Sequence, residues 1–244
     1  MNNNKGESKM TQQKNLVFQV NIKMPENVYA ETTGKRKFYH KDNLYAFSNT
    51  RAKQYADKVG ADYYLLTDPE LFGTKWCPNY HKFYMYTLFE QGGYDNILFL
   101  DSDAVLTPQA PNIFDMYKGF SAPIDQNLNS KQGRDKQSRL NKHMKLSPDW
   151  NYFISGTMLV DRKFYRLTKD LWYDAVMYWK DAYKWSRDQS VFNVLAHIYY
   201  GEYNVLNKDW GVWWATGKYI NHYAGYQSRN WTADKQLKAE ARRA

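Results

Sequence analysis

The chain is poor in cysteine: Cys77 is the only one in 244 residues. An intramolecular disulfide is thereby excluded, and a secreted, disulfide-built scaffold has no support. No apolar run approaches the ~20 residues that a membrane-spanning helix needs. Residues 1–14 are Asn-, Lys- and Gln-rich and lack the apolar stretch of a secretory signal. The sequence alone therefore points to a soluble, cytoplasmic protein, with a disordered tail over 1–14. No internal repeat is visible.

Positive charge and aromatic rings are abundant. The formal charge is +9, and there are 22 Tyr and 9 Trp. A basic surface favours polyanionic partners such as nucleotide phosphates, nucleic acid, acidic glycans or an anionic membrane. Tyr and Trp join a flat apolar face to a polar edge, which suits sugars and bases as well as protein cores.

The first half of the chain alternates strand and helix. Leu16–Val20 reads as a strand. Asn43–Val59 has helical spacing and is closed by Gly60. Asp62–Leu66 reads as a second strand, and Asn79–Gln91 as a helix closed by Gly92-Gly93. Ile97-Leu98-Phe99-Leu100 follows, an unbroken apolar run expected of a strand buried on both faces. This β-α-β-α-β order is that of a parallel sheet with crossover helices. Further on, residues 127–147 carry many cations and few apolar residues, and are expected to form a long, mobile, basic loop. Tyr152–Val160 reads as a strand interrupted at Ser155-Gly156. Phe164–Lys180 and Asp188–His197 read as helices, Tyr203–Leu206 as a short strand, and 233–244 as a charged tail or a frayed helix. A single domain is then expected over 15–232.

The chemistry is concentrated at the end of the apolar run. Asp101 and Asp103 stand one residue apart where a central strand would finish, the edge at which open α/β sheets bind ligands. Two anionic oxygen donors suit a hard divalent cation, Mn²⁺ or Mg²⁺, and with it a diphosphate.

Ile97–Asp103 followed by Ala104-Val105-Leu106 resembles the Asp-x-Asp region of GT-A glycosyltransferases, and most of all glycosyltransferase family 8, the glycogenin and galactosyltransferase-like group. Tyr152–Val160 resembles that family's F-N-S-G strand. Asp188-Gln189-Ser190-Val191-Phe192-Asn193 resembles its D-Q-D-x-x-N helix start. His222-Tyr223-Ala224-Gly225 with Arg229 and Trp231 resembles its C-terminal H-x-x-G-x-x-K-P-W. The chain departs from the pattern at Ile154 (for Asn), Ser190 (for an acid) and Arg229 (for Lys), and its last motif has one extra residue and no Pro.

The resemblance implies an α/β, Rossmann-like GT-A fold with a mostly parallel central sheet flanked by helices. It implies metal-dependent transfer of a sugar from a nucleoside-diphosphate sugar, a UDP-sugar by preference, to a carbohydrate or other hydroxyl acceptor, with retention of configuration favoured. Asp101 and Asp103, with His222 as third ligand, would hold the metal. Lys82, Asp101, Ser102, Asp125, Gly225 and Arg229 would contact the donor. Asp188 and Gln189 would flank the anomeric carbon. Each has a plainer reading: Lys82 as a solvated helix residue, Asp125 as a turn former, Asp188 as a helix-dipole partner, His222 as a structural histidine. Trp210, Trp213, Trp214 and Tyr223 are candidates for an acceptor platform. Two competing classes remain: a haloacid-dehalogenase-type phosphatase with Asp101 as nucleophile, and a non-catalytic nucleic-acid or glycan binder. The acidic pair would repel phosphate without a cation, so nucleic acid is not expected as a partner. Peripheral membrane contact and oligomeric state are left open.

Overall fold

A computed structural model describes residues 13–23, 42–69, 73, 78–125, 131–179, 187–211, 217–223 and 231–241. Six strands form the main sheet: β1 (Asn15–Val20), β2 (Asp62–Leu66), β3 (Asn96–Asp101), β5 (Ser121–Ala122), β6 (Thr157–Asp161) and β7 (Asn204–Val205). Their order is β2-β1-β3-β6-β5-β7. The pairs β1/β2, β1/β3 and β5/β7 are parallel, while β6 runs antiparallel to both β3 and β5. A separate two-stranded ladder joins β4 (Ala104–Leu106) to β8 (Ile220–His222). The architecture is the expected α/β one, with helices against a mostly parallel central sheet.

Alternation along β1 and β3 divides the core between two faces. Leu16, Phe18, Ile97 and Phe99 point to one side, where they meet Phe83, Phe89, Phe164 and Phe192. Val17, Leu98 and Leu100 point to the other, against Ala52, Tyr55 and Ala56 of helix α1 (Asp42–Val59) and against Trp210. Both faces are apolar because both are covered, and this is why β3 lacks an in–out alternation in its sequence.

The helix expected from Asn79 begins as a 3-10 turn, Pro78–Tyr84, and becomes α2 at Met85–Gly92. Gly93 follows in the left-handed conformation (φ 67°), which glycine adopts without steric cost. The face-to-face stack of Phe83 on Phe192 (4.5 Å between ring centres) fastens the 3-10 turn to α7 (Arg187–Leu195).

Several expectations need correction. The basic segment is not a loop over 131–144, where it forms helix α4 (Lys131–Met144). Leu140 and Met144, four residues apart and both buried, seat it on the core, and Asn141 is buried between them. The strand expected over Tyr152–Val160 exists only as β6; before it, Phe153 makes an isolated bridge to Ile124. Phe164–Lys180 contains two helices, α5 (Arg162–Thr168) and α6 (Trp172–Trp179). The tail follows its helical alternative, as helix α8 (Ala233–Ala241), with Gln236 and Glu240 buried. The expectations for residues 1–12 lie outside the described residues. Among the described residues no helix is long and apolar enough to cross a membrane.

Candidate metal centre

The parallel register Val20↔Asp101 sets the end of β3 level with the end of β1, at the carboxyl edge of the sheet. The chain then turns through Ser102 and Asp103 into β4. Pairing of Ala104 with His222 brings together two segments more than a hundred residues apart. His222 Nε2 lies 3.1 Å from Asp103 Oδ1 and 3.9 Å from Asp101 Oδ2. One donor atom from each of Asp101, Asp103 and His222 falls within 4.8 Å of the others.

Two carboxylates and an imidazole fit a divalent ion. Neighbouring donors in a six-coordinate shell with bonds of about 2.1 Å are about 3 Å apart, and opposite ones about 4.2 Å. The backbone is shaped around the cluster. A Cβ on Gly156 would lie 2.6 Å from His222 Cε1 and 2.8 Å from Asp101 Oδ2. Only a residue without a side chain leaves Asp101 and His222 where they are.

The three groups act on one another's charge. Burial pushes the Asp101 carboxyl up, Lys82 draws it down, and the like charge of Asp103 pushes it up again, for a net rise. Burial also acts upward on Asp103, but the charge and hydrogen bond of His222, joined by Lys82, outweigh it and leave Asp103 below the usual carboxylate range. For His222, burial acts downward, and Asp103 and Asp101 overcome it to hold the imidazole above its ordinary value.

A second cluster touches the first. Lys82 is 4% exposed, and its Nζ lies 3.0 Å from Asp101 Oδ1 and 2.7 Å from Asp188 Oδ2. It also donates to Ser155 Oγ (3.2 Å) and to the Ser155 carbonyl (3.3 Å), and it lies over the Phe99 ring. Ser155 Oγ donates to Asp188 Oδ2 at 2.6 Å, and Asn79 Nδ2 makes a long contact of 3.4 Å to Asp188 Oδ1. Burial works against the charged forms of Lys82 and Asp188, yet Asp101 and Asp188 together hold the lysine raised, and Lys82 with Ser155 holds Asp188 lowered. Lys82 is therefore a buried bridge between two carboxylates, and the solvated-helix reading of it is wrong.

Gln189 is half-buried beside this group, and its Oε1 accepts from Ser155 N at 3.4 Å. Ser102 donates through Oγ to the Val20 carbonyl at 2.5 Å, pinning the turn between the two aspartates to β1. Asp125 is buried, and its N–H donates to the Tyr152 carbonyl. The Ile124–Phe153 bridge thus sets Asp125 beside the segment that leads to Ser155 and Gly156. Gly225 and Arg229 lie outside the described residues, as do Trp213 and Trp214. Trp210 is fully buried and belongs to the core.

Four further residues contribute. Ser155 and Gly156, the S-G of the F-N-S-G resemblance and the break in the expected strand, bring a hydroxyl and a side-chain-free position to the cluster. Gln19 and Ser48 belong to no motif. Ser48 Oγ donates to the Ala104 carbonyl at 2.7 Å, and Gln19 Nε2 reaches Ser48 Oγ at 3.1 Å and the Asp101 carbonyl at 3.5 Å. The signal was present in β1 and α1: each has a polar residue on its otherwise buried face.

No protein-family model and no curated protein matches the sequence. Solved structures match its fold. One is the galactosyltransferase LgtC in complex with donor and acceptor sugar analogues. Its TM-score is 0.56 at 14% identity, covering 93% of this chain and 95% of that one. Another is a glycosyltransferase involved in glycosylation of the major capsid of PBCV-1. Its TM-score is 0.55 at 9% identity, covering 92% of this chain and 99% of that one. The fold is that of the GT-A glycosyltransferases.

Proposed function

We propose that this chain is a metal-dependent glycosyltransferase that takes a sugar from a nucleoside-diphosphate donor, a UDP-sugar by preference, and places it on a carbohydrate or other hydroxyl acceptor. The observation that carries this reading is the convergence of Asp101, Asp103 and His222 within 4.8 Å at the carboxyl edge of a sheet whose fold neighbours are glycosyltransferases.

Asp101, Asp103 and His222 would hold Mn²⁺ or Mg²⁺. The bound ion supplies a Lewis acid for the negative charge that gathers on the departing diphosphate. The chain's own part is to fix the reacting groups. Ser102 and Ser48 hold the turn that carries both aspartates. Lys82 neutralises Asp101 and Asp188 together and keeps Asp188 ionised beside the metal ligands. Asp188, with Lys82, Ser155 and Asn79 around it, is arranged to hold a negative charge in place rather than to accept a proton. That arrangement favours stabilisation of a cationic anomeric centre over general-base activation of the acceptor, and so favours retention of configuration. Gln189 stands next to Asp188 with an amide that can meet the sugar. Asp125 is the candidate for a donor-sugar hydroxyl. Gly225 and Arg229 keep their proposed role at the diphosphate on the resemblance alone. A phosphatase reading has no support from the fold neighbours.

The test is a panel of nucleotide sugars with Mn²⁺, scored for slow donor hydrolysis. One donor hydrolysed by the native chain and spared by Asp103→Ala supports the reading. No turnover of any donor, together with phosphate release from a simple phosphate ester, contradicts it.

A further inference from the structure

We infer that Gln236 and Glu240 of α8 are positioning residues for the metal centre, acting through Tyr223. The inference rests on the metal-site reading above.

The two residues are four apart and so share one face of α8. Gln236 is fully buried and Glu240 nearly so, although each carries a polar head. Such burial is costly unless every head finds a partner. Gln236 Nε2 donates to Glu240 Oε1 at 2.6 Å, and Glu240 Oε2 meets Arg51 Nη2 of α1 at 2.8 Å. Tyr223 OH donates to Gln236 Oε1. Rings close the same junction: Phe47 of α1 lies 5.3 Å from Trp231, Trp231 lies 6.4 Å from Tyr223, and Arg51 stacks over Phe47. Thr232 Oγ1 accepts from Lys235 N at the start of the helix.

Tyr223 carries this brace to the metal ligands. It directly follows His222, and its backbone N–H donates to the Asp103 carbonyl at 2.9 Å. The ladder that aligns Asp103 with His222 has three residues a side. A two-stranded ladder of that size does not hold its own geometry in water. On one side it is held by Ser48 of α1 through the Ala104 carbonyl. On the other it is held by Tyr223, Gln236, Glu240 and back to α1 through Arg51. Both ends of the brace are rooted in one helix, so α8 closes a ring around the turn that presents the ligands. A buried chain of hydrogen bonds sets position more sharply than apolar packing alone.

The experiment is Mn²⁺ affinity by electron paramagnetic resonance, with thermal unfolding in EDTA alongside, for the native chain, Gln236→Ala, Tyr223→Phe and the double variant. The native chain binds Mn²⁺. Each single variant weakens binding at least tenfold while its unfolding temperature in EDTA stays within a few degrees of native. The double variant is no weaker than the worse single, because both remove one bond. Glu240→Gln, which keeps shape and loses charge, weakens binding by a smaller factor. Mn²⁺ affinity within twofold of native in both single variants overturns the brace and leaves the metal-site reading intact. Absence of Mn²⁺ binding by the native chain overturns the metal-site reading, and the brace with it. If Gln236→Ala does not fold, Tyr223→Phe decides the matter, since it removes one oxygen.

Discussion

Lys82 and Asp188 meet at 2.7 Å inside the protein, with side chains 5% and 4% exposed, and the same lysine reaches the metal-ligand candidate Asp101 at 3.0 Å. One buried cation therefore serves two carboxylates from different parts of the chain. Removing it strands both. Lys82→Met is expected to cost about 3–5 kcal/mol, the range for a buried ion pair that loses one partner. Urea unfolding in EDTA measures this. Asp188→Asn in the Lys82→Met background should cost less than in the native chain, because the charge it removes is already uncompensated. Equal costs in both backgrounds would show the two residues to be independent.

Gly156→Ala addresses the shape of the centre. The φ of Gly156 lies outside the left-handed region, so alanine is acceptable to the backbone; the conflict is with His222 and Asp101, at 2.6 and 2.8 Å. Mn²⁺ affinity is expected to fall more than tenfold with an unchanged far-UV circular dichroism spectrum. Unaltered affinity would show that Asp101 and His222 do not bind the ion together.

Helix α4 divides into a seated and a solvated side. Leu140→Ala is expected to cost about 2–4 kcal/mol as a buried truncation. Arg139→Ala, on the exposed side, should stay within about 0.5 kcal/mol of native. Denaturant unfolding compares them, and equal small effects would mean that the segment does not pack.

From β1 to β3 the described elements were legible because each states its environment locally. β3 holds four apolar residues in a row, and α1 ends at a glycine with φ 68°. The second half was harder for physical reasons. In α4 a few buried positions, Leu140, Asn141 and Met144 among them, seat a helix otherwise rich in cations, too few to outweigh the impression of a loop. The break between α5 and α6 falls inside a run of aromatic residues that would suit one longer helix. The antiparallel direction of β6 depends on how the chain returns, which no local pattern encodes. At the site, Asp101 and Asp103 announced themselves by position. The pairing of His222 with Asp103 spans 119 residues, and that of Lys82 with Asp188 spans more than a hundred. Only the motif resemblance, which sets all four residues around one donor, hinted at either pairing.

His81 gives the fold a pH dependence separate from the metal. It is fully buried beside Lys82, and burial lowers its pKa from 6.5 to about 4. The unfolded chain takes up a proton below about pH 6.5, while the folded chain refuses it until about pH 4. The native state therefore loses stability as pH falls through that window. Unfolding midpoints in EDTA between pH 7.5 and 4.5 should decline for the native chain and decline less for His81→Gln. Parallel declines would remove His81 as the cause.

Calorimetric titration of UDP into the native chain and into Asp103→Ala, each with Mn²⁺ and with EDTA, tests the ion-mediated grip on the donor. Heat of binding is expected only for the native chain with Mn²⁺. Equally tight binding in EDTA, or by Asp103→Ala, would contradict it.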